Sequence, residues 1–236
     1  MRKLILIIIA AAVAALAWIF VDKSVLVVKN VEVYGAREGE TADVIRISGI
    51  EMGGSMRKMD ADKAALNVES TGVYSCTAVE IKYPSTAIIR VEPRRGAAVI
   101  DAGGFMVTLD AGGYVMDVST AMPEGDYIYI TGMEARKWEL GRQVAADPAR
   151  LSAFVAVVSA VNKNGAQAYV SEINVSDKKT LYAYSRTGIY VLLGDESDMD
   201  RKVMWMINAL ADLEKRGETS GRLDVSSGDK ADYSAN

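Results

Sequence analysis

The most constraining feature of this 236-residue sequence is an uncharged segment close to its start. Residues 4–21 are 18 positions without a single charge, preceded by Met1-Arg2-Lys3 and followed by Asp22-Lys23. At about 1.5 Å per residue, a helix of this length spans roughly 27 Å, which is close to the hydrocarbon thickness of a bilayer. The pattern therefore predicts a single transmembrane helix over residues 4–22.

Two uses of this segment are open, a cleaved signal peptide and a retained anchor. Ala15-Leu16-Ala17 has the small residues of a cleavage site. The apolar run continues beyond that site, and its aromatic residues suit the headgroup layer of a membrane. We therefore predict a retained membrane anchor that includes Leu4, Trp18 and Phe20.

The basic residues before the segment predict its orientation. Arg2 and Lys3 lie within a few residues of the apolar run, and such cations favour the cytoplasmic side. Residues 1–3 are thus predicted to be a cytoplasmic end, and the body of the chain to be extracytoplasmic. This is the topology of a single-pass type II protein of the plasma membrane.

The composition excludes several classes of function. Half of the residues are apolar, which is enough for a core, and the net charge of −4 argues against a nucleic-acid binder. There is no histidine, and Cys76 has no second cysteine with which to form a disulfide or a zinc site. We therefore predict no enzymatic activity, cofactor, metal or small-molecule substrate. A Ser/Lys hydrolase built on Ser55, with Lys58 nearby, is the remaining enzymatic alternative.

Residues 25–93 show the pattern of a small α+β domain. Val31 and Val33 alternate with polar residues as in a strand, and two short helices follow, with Thr41 and Asp60 as predicted N-caps. Two further alternating segments flank the turn at Pro84-Ser85-Thr86. The predicted order is strand, helix, helix, strand, strand.

Residues 94–226 are predicted to be a mixed α+β domain built on a hairpin-rich sheet. Asp101-Ala102-Gly103-Gly104 and Asp110-Ala111-Gly112-Gly113 are near-copies that predict two tight turns between strands. Asp147-Pro148 predicts the start of one helix, and a second follows over residues 199–216, preceded by acidic residues that are predicted to cap it. A last strand is predicted over residues 222–226, and a polar tail over residues 227–236.

Several motifs along the chain resemble those of one protein family. They are Val31-Glu32-Val33-Tyr34-Gly35, Tyr83-Pro84-Ser85-Thr86, Leu109-Asp110 with Gly113-Tyr114-Val115, and Leu223-Asp224-Val225. In this order they resemble the FtsQ/DivIB family of bacterial division proteins, in which an anchor precedes a POTRA domain and a β domain. One departure is that Glu92 is followed by Pro93-Arg94-Arg95-Gly96, where the family usually has Glu-Arg-x-Pro.

The resemblance implies a non-enzymatic scaffold at the division septum. Such proteins bind FtsB/DivIC and FtsL, along with other divisome proteins, outside the membrane and help to regulate septal peptidoglycan synthesis. In the family, the last strand and the residues just after it contact FtsB. The corresponding residues here are Arg222, Leu223, Asp224, Val225, Ser226 and, in the tail, Tyr233.

The properties of edge strands also favour residues 222–226 as the partner-binding segment. An exposed terminal strand offers unpaired backbone groups that another chain can pair with, and Leu223 and Val225 would then provide side-chain contacts. A proline at Val225 is accordingly expected to weaken partner binding. The alternative function is a POTRA-containing component of a protein export or assembly machine, although such proteins usually continue into a long β-barrel.

Overall fold

The computed structural model describes residues 2–235, without the side chains of residues 2–5, 17, 22 and 23. It is an α+β protein, as predicted. The chain divides into two compact units, Met1–Pro93 and Arg94–Asn236. Each unit has its own hydrophobic core.

The first unit begins with helix α1, Arg2–Phe20, which continues into a π-helical turn, Val21–Val25. Leu4 is one of the predicted anchor residues, and its side chain lies outside the described part of the structure. Those of Trp18 and Phe20 are exposed, at 63% and 66%. Within the described part of the chain, no helix is long and apolar enough to cross a membrane. The span over residues 4–22 stays a prediction.

The rest of the first unit follows the predicted order of elements. Its elements are β1 Asn30–Tyr34, α2 Thr41–Ser48, α3 Ala61–Glu69, β2 Tyr74–Lys82 and β3 Thr86–Pro93. The strands form a sheet in the order β1-β3-β2, with β1 parallel and β2 antiparallel to β3. The two helices bury Val44 and Val68 in a core shared with Ile89 and Val91.

Local signals account for the helix and strand ends of this unit. Asp60 caps α3, because its Oδ1 accepts a hydrogen bond from Lys63 N at 2.9 Å. The predicted cap at Thr41 is wrong: Thr41 is the first helical residue, and Glu40 precedes it without a side-chain cap. Gly35 follows β1 at φ +87°, and a Cβ there would lie 1.9 Å from Val91 O. Only glycine fits this position.

The second unit is built on a nine-stranded sheet. Its elements are β4 Gly96–Asp101, β5 Met106–Asp110, β6 Val115–Ser119, β7 Ile128–Thr131, α4 Pro148–Lys163, β8 Val170–Asn174, β9 Leu181–Ser185, β10 Tyr190–Gly194, α5 Met199–Lys215, β11 Arg222–Asp224 and β12 Asp232–Ser234. The strand order is β12-β11-β10-β9-β8-β7-β4-β5-β6. Hairpins are common, but β4–β7, β7–β8 and β10–β11 are parallel pairs. The sheet is therefore mixed.

Both predicted Gly-Gly turns are confirmed as hairpin turns. Asp101 Oδ1 accepts a hydrogen bond from Gly104 N at 3.0 Å in the turn between β4 and β5. Asp110 Oδ1 accepts from Gly112 N and Tyr114 N, each at 2.9 Å, in the turn between β5 and β6. The aspartates therefore hold the turns through backbone N–H groups.

The second unit contains a buried ion pair at its first residue. Arg94 Nη1 lies 2.5 Å from Asp110 Oδ2, and the two side chains are only 6% and 14% exposed. The Arg94 guanidinium also lies 4.2 Å from the centre of the Tyr114 ring. This pair joins the start of the unit to the turn between β5 and β6, at the Pro-Arg-Arg-Gly sequence that departs from the family pattern.

Candidate partner-binding edge

The terminal edge of the nine-stranded sheet is β12. β11 lies inside the sheet, parallel to β10 and antiparallel to β12. The prediction that residues 222–226 form an exposed edge is therefore wrong. The tail predicted over residues 227–236 turns back and adds β12 outside β11, because Asp232 and Ser234 pair with Asp224 and Arg222.

The predicted apolar contact residues belong to the core. Leu223 and Val225 are each 0% exposed. Val225 lies just beyond β11, and its N–H donates to Leu192 O on β10 at 3.0 Å. Neither side chain can therefore contact a partner from this position, and a proline at Val225 would break a bond inside the sheet.

The backbone hydrogen bonds of β11 determine which residues of β12 pair with it and which face outwards. Gly221 O and Val225 N both bond to β10. Since successive residues of a strand turn their backbone groups to opposite sides, Arg222 and Asp224 direct theirs towards β12.

The same alternation applies to β12 itself. Asp232 and Ser234 pair with β11. Tyr233, between them, and Ala235, just beyond, therefore direct their N–H and C=O groups away from the sheet. Within residues 2–235, no other strand pairs with this side of β12. This row of backbone groups is the open edge.

Asp224 and Ser226 close the end of β11. Asp224 Oδ1 accepts hydrogen bonds from Ser226 N at 3.0 Å and from Ser226 Oγ at 2.6 Å. Burial raises the pKa of the Asp224 carboxyl, but the bonds from Ser226 and Arg222 outweigh it, so the pKa is lowered overall. Both residues thus act within the turn after β11, while the Arg222 side chain is exposed.

Tyr233 holds β12 in place rather than projecting freely. Its hydroxyl donates to Ser220 O at 2.7 Å and lies 3.3 Å from Glu218 Oε2. The ring lies against Gly221, where a Cβ would come within 2.8 Å of it. Burial, together with the Glu218 charge, raises the pKa of Tyr233. The phenol is therefore neutral and available as a donor at pH 7.

Replacing Tyr233 by phenylalanine is expected to loosen β12. The lost hydrogen bond to Ser220 O is worth about 1 kcal/mol, which corresponds to a roughly fivefold faster opening of the edge strand. Hydrogen exchange at the Asp232 and Ser234 amides measures this opening. Tyr34→Phe, which removes an exposed hydroxyl bonded to Glu32, should leave exchange in β12 unchanged. Equal exchange in wild type and Tyr233→Phe would contradict the holding role.

A buried lysine on α5 lies next to the turn that precedes β12. Lys202, on α5, is 2% exposed, and its Nζ lies 2.8 Å from both the carbonyl oxygen and Oδ1 of Asp195. The hydrogen bond from Lys202 lowers the pKa of Asp195 to about 2. The Lys202 stem also reaches the turn before β12, where a Cβ on Gly228 would lie 3.8 Å from Lys202 Cγ.

Two acidic residues around the start of α5 pair with lysines. Asp195 pairs with Lys202, and Asp200 pairs with Lys163 at 2.6 Å. Asp198 stands at the N-cap position with φ 49° but makes no side-chain cap hydrogen bond, so its predicted capping role is wrong. Among the described residues, no group of acidic or cysteine side chains is arranged to hold a metal ion.

Among the described residues, neither Ser55 nor Cys76 has a partner that would activate it as a nucleophile. Ser55 Oγ is buried without a hydrogen-bond partner there, so none of the described lysines activates it. Burial, and secondly the Glu69 charge, raises the pKa of the Cys76 thiol, which disfavours the reactive thiolate.

One surface near the edge was missed by the sequence analysis. Tyr182, Tyr184 and Tyr190 form a cluster on β9 and β10, with ring centroids 5.3 to 6.1 Å apart. Arg222 lies 6.0 Å from the centre of the Tyr190 ring. The alternation of tyrosine with buried Leu181 and Ala183 was the available signal.

Comparison with known proteins shows that this chain is similar to bacterial cell division proteins. No family model matches the sequence. The chain is 25% identical over 228 residues to the cell division protein FtsQ of Anaeromyxobacter sp. (strain K), which covers 94% of this chain and 75% of that protein. A solved structure, the major extracytoplasmic domain of the trans isomer of the cell division protein DivIB from Geobacillus stearothermophilus, matches with a TM-score of 0.34 and 15% identity, over 53% of this chain and 97% of that one.

The sequence match runs nearly end to end. It confirms the resemblance to the FtsQ/DivIB family that the motifs predicted.

Proposed function

We propose that this protein is a non-enzymatic scaffold of cell division that binds FtsB/DivIC, together with FtsL, outside the membrane. Through this contact it helps to regulate septal peptidoglycan synthesis. The observation that carries the proposal is the open edge of β12, where Tyr233 and Ala235 offer backbone groups to an added strand. The partner site is thus assigned to β12, one strand further out than the sequence suggested.

Membrane attachment is part of the same proposal. Residues 4–21 carry no charge, and described side chains of this segment, such as Leu6 and Ile9, are exposed. An apolar helix exposed all round requires an apolar environment. With Arg2 and Lys3 on the cytoplasmic side, the body is extracytoplasmic, and the first unit acts as the POTRA domain in recruitment.

A proline at Ala235 is expected to weaken partner binding while leaving the sheet intact. The substitution removes an outward-facing N–H and places a ring against the added strand, but it takes no bond from β11. The loss of one backbone hydrogen bond, together with the clash of the proline ring with the added strand, is expected to raise the Kd for the extracytoplasmic part of FtsB/DivIC about tenfold. Titration calorimetry with the purified full chain measures this change.

Ala235→Ser is the matched control, because it keeps the backbone donor. Both variants should melt at the wild-type temperature. If wild type binds FtsB/DivIC and Ala235→Pro binds equally well, the partner site lies away from the β12 edge. If folded wild type binds neither FtsB/DivIC nor FtsL, the scaffold proposal itself fails.

A further inference from the structure

A cavity of about 340 Å³ lies in the second unit, beyond the ends of the parallel strands β7 and β8. In the chain, α4 connects these two strands. The cavity is lined by residues that follow β7, begin α4 and follow β8, namely Glu134, Arg136, Asp147, Ala149, Arg150, Ser176 and Lys178. Where a helix joins two parallel strands, ligands bind beyond the carboxyl ends of the strands.

Backbone hydrogen bonds fix the segments that form this cavity. Val175 N donates to Thr131 O at 2.9 Å, which joins the end of β8 to the end of β7. Arg136 N donates to Ala145 O at 2.8 Å, which joins the segment after β7 to the segment before α4. The walls are therefore already ordered in the folded unit, and a ligand does not have to order them.

Three of the lining side chains are cations. In the part of the chain that the structure describes, Arg136, Arg150 and Lys178 form no ion pair and no side-chain hydrogen bond. Arg150 is partly buried, and the other two are exposed. Of the two lining carboxylates, Asp147 accepts hydrogen bonds from the first-turn N–H groups of α4 at 3.0 and 3.2 Å. Glu134 opposes the cations, but positive charge remains in excess.

A phosphate group fits these cations better than a carboxylate does. Its terminal oxygens can accept hydrogen bonds from all three cations at once, and arginine binds phosphate through two parallel hydrogen bonds. A carboxylate has only two oxygens, which a single arginine can occupy. Because Asp147 already accepts from the N–H groups of α4, the side chains and not the helix end provide the donors.

We propose that this basic cavity binds the phosphate group of a small ligand through Arg136, Arg150 and Lys178. Three charge-assisted hydrogen bonds predict a Kd below about 1 mM. Titration calorimetry of the purified full chain with inorganic pyrophosphate, at pH 7 and constant ionic strength, measures this affinity. Citrate, a tricarboxylate of similar charge, should bind at least about fivefold more weakly.

A second phosphate probe distinguishes the two sources of such a ligand. Dihexanoyl phosphatidate carries the phosphate group on a soluble lipid. Binding of pyrophosphate alone supports the site with a soluble ligand, and tighter binding of the phosphatidate supports it with a lipid headgroup. If folded wild type binds neither probe at concentrations up to about 10 mM, the proposal is overturned.

Two neighbouring lysines provide a matched pair of variants. Lys178 lines the basic cavity, whereas Lys179 does not. Lys178→Gln is expected to raise the Kd for pyrophosphate about fivefold, and Lys179→Gln to change it less than about twofold, because only the first removes a donor from the cavity. Glu134→Gln removes the opposing charge and should tighten binding about twofold, which a misfolded variant would not do.

The double variant Arg136→Gln with Arg150→Gln should reduce binding of pyrophosphate below detection. Equal Kd values for Lys178→Gln and Lys179→Gln would overturn the site, because the affinity would then come from the overall charge of the surface. Citrate binding as tightly as pyrophosphate would also overturn it, and would indicate a carboxylate partner such as an acidic peptide.

Discussion

Replacing Arg94 by methionine is expected to lower the free energy of unfolding of the second unit by about 3 kcal/mol, because Asp110 is left as a buried charge without its cation. The value is at the lower end for buried pairs, since Asp110 Oδ1 keeps its bonds from Gly112 N and Tyr114 N. In a thermal melt the loss corresponds to a drop of about 6–12 °C.

Two further variants isolate the buried charge as the cause. Adding Asp110→Asn to Arg94→Met should restore part of the stability, because no unpaired charge then remains. Arg216→Met removes an exposed partner of Asp212, with side chains 55% and 66% exposed, and should cost less than about 1 kcal/mol. A melting temperature of Arg94→Met within 2 °C of wild type corresponds to about 0.5–1 kcal/mol. This result would show that the Arg94–Asp110 pair contributes little to stability.

Replacing Val225 by proline is expected to destabilise the second unit by about 3 kcal/mol or more. The change removes the N–H that donates to Leu192 O and leaves that carbonyl unpaired inside the sheet. Partner binding should be lost together with the fold, in contrast to Ala235→Pro, which affects binding alone. Circular dichroism and calorimetry on the same samples separate the two outcomes.

The matched control is Val225→Ala, which keeps the N–H and removes only side-chain volume. It should cost about 2 kcal/mol through the cavity it leaves. A folded Val225→Pro protein with impaired binding would return the partner site to residues 222–226, as the sequence first suggested.

Local signals in the sequence account for the elements that were predicted correctly. Asp147 caps α4 through Ala149 N and Arg150 N, with Pro148 in the first turn. The Asp-Ala-Gly-Gly repeats likewise formed turns, because the carboxylate reaches N–H groups two to four residues away. Each of these features is decided within a few residues, so the pattern was sufficient.

The sequence pattern does not show which strand forms the terminal edge, because this depends on how the strands pair. β12 has only three residues, and Tyr233 is flanked by Asp232 and Ser234, so no apolar alternation marks it as a strand. Its stability comes from β11 and from the Tyr233 contacts with Ser220 and Gly221. A short polar segment becomes a strand only because the rest of the sheet supplies a template.

The buried Arg94–Asp110 ion pair could not be predicted from local sequence patterns either. Arg94 and Asp110 are 16 positions apart, and neither has an unusual neighbour in the sequence. Pro93-Arg94-Arg95-Gly96 departs from the family pattern, and nothing in the sequence explains the departure. In the structure, Arg94 is the partner that permits Asp110 to be buried while it holds its turn.

The position of β12 along the chain has a consequence for the timing of assembly. Every other described strand of the sheet precedes β12, and β12 has no template until β11 has paired with β10. Because synthesis proceeds from the N-terminus, β12 is therefore the last of the described strands that can form. A partner that recognises this edge would join only molecules that have finished folding, and recruitment would act as an inspection step that withholds immature copies from the division machinery.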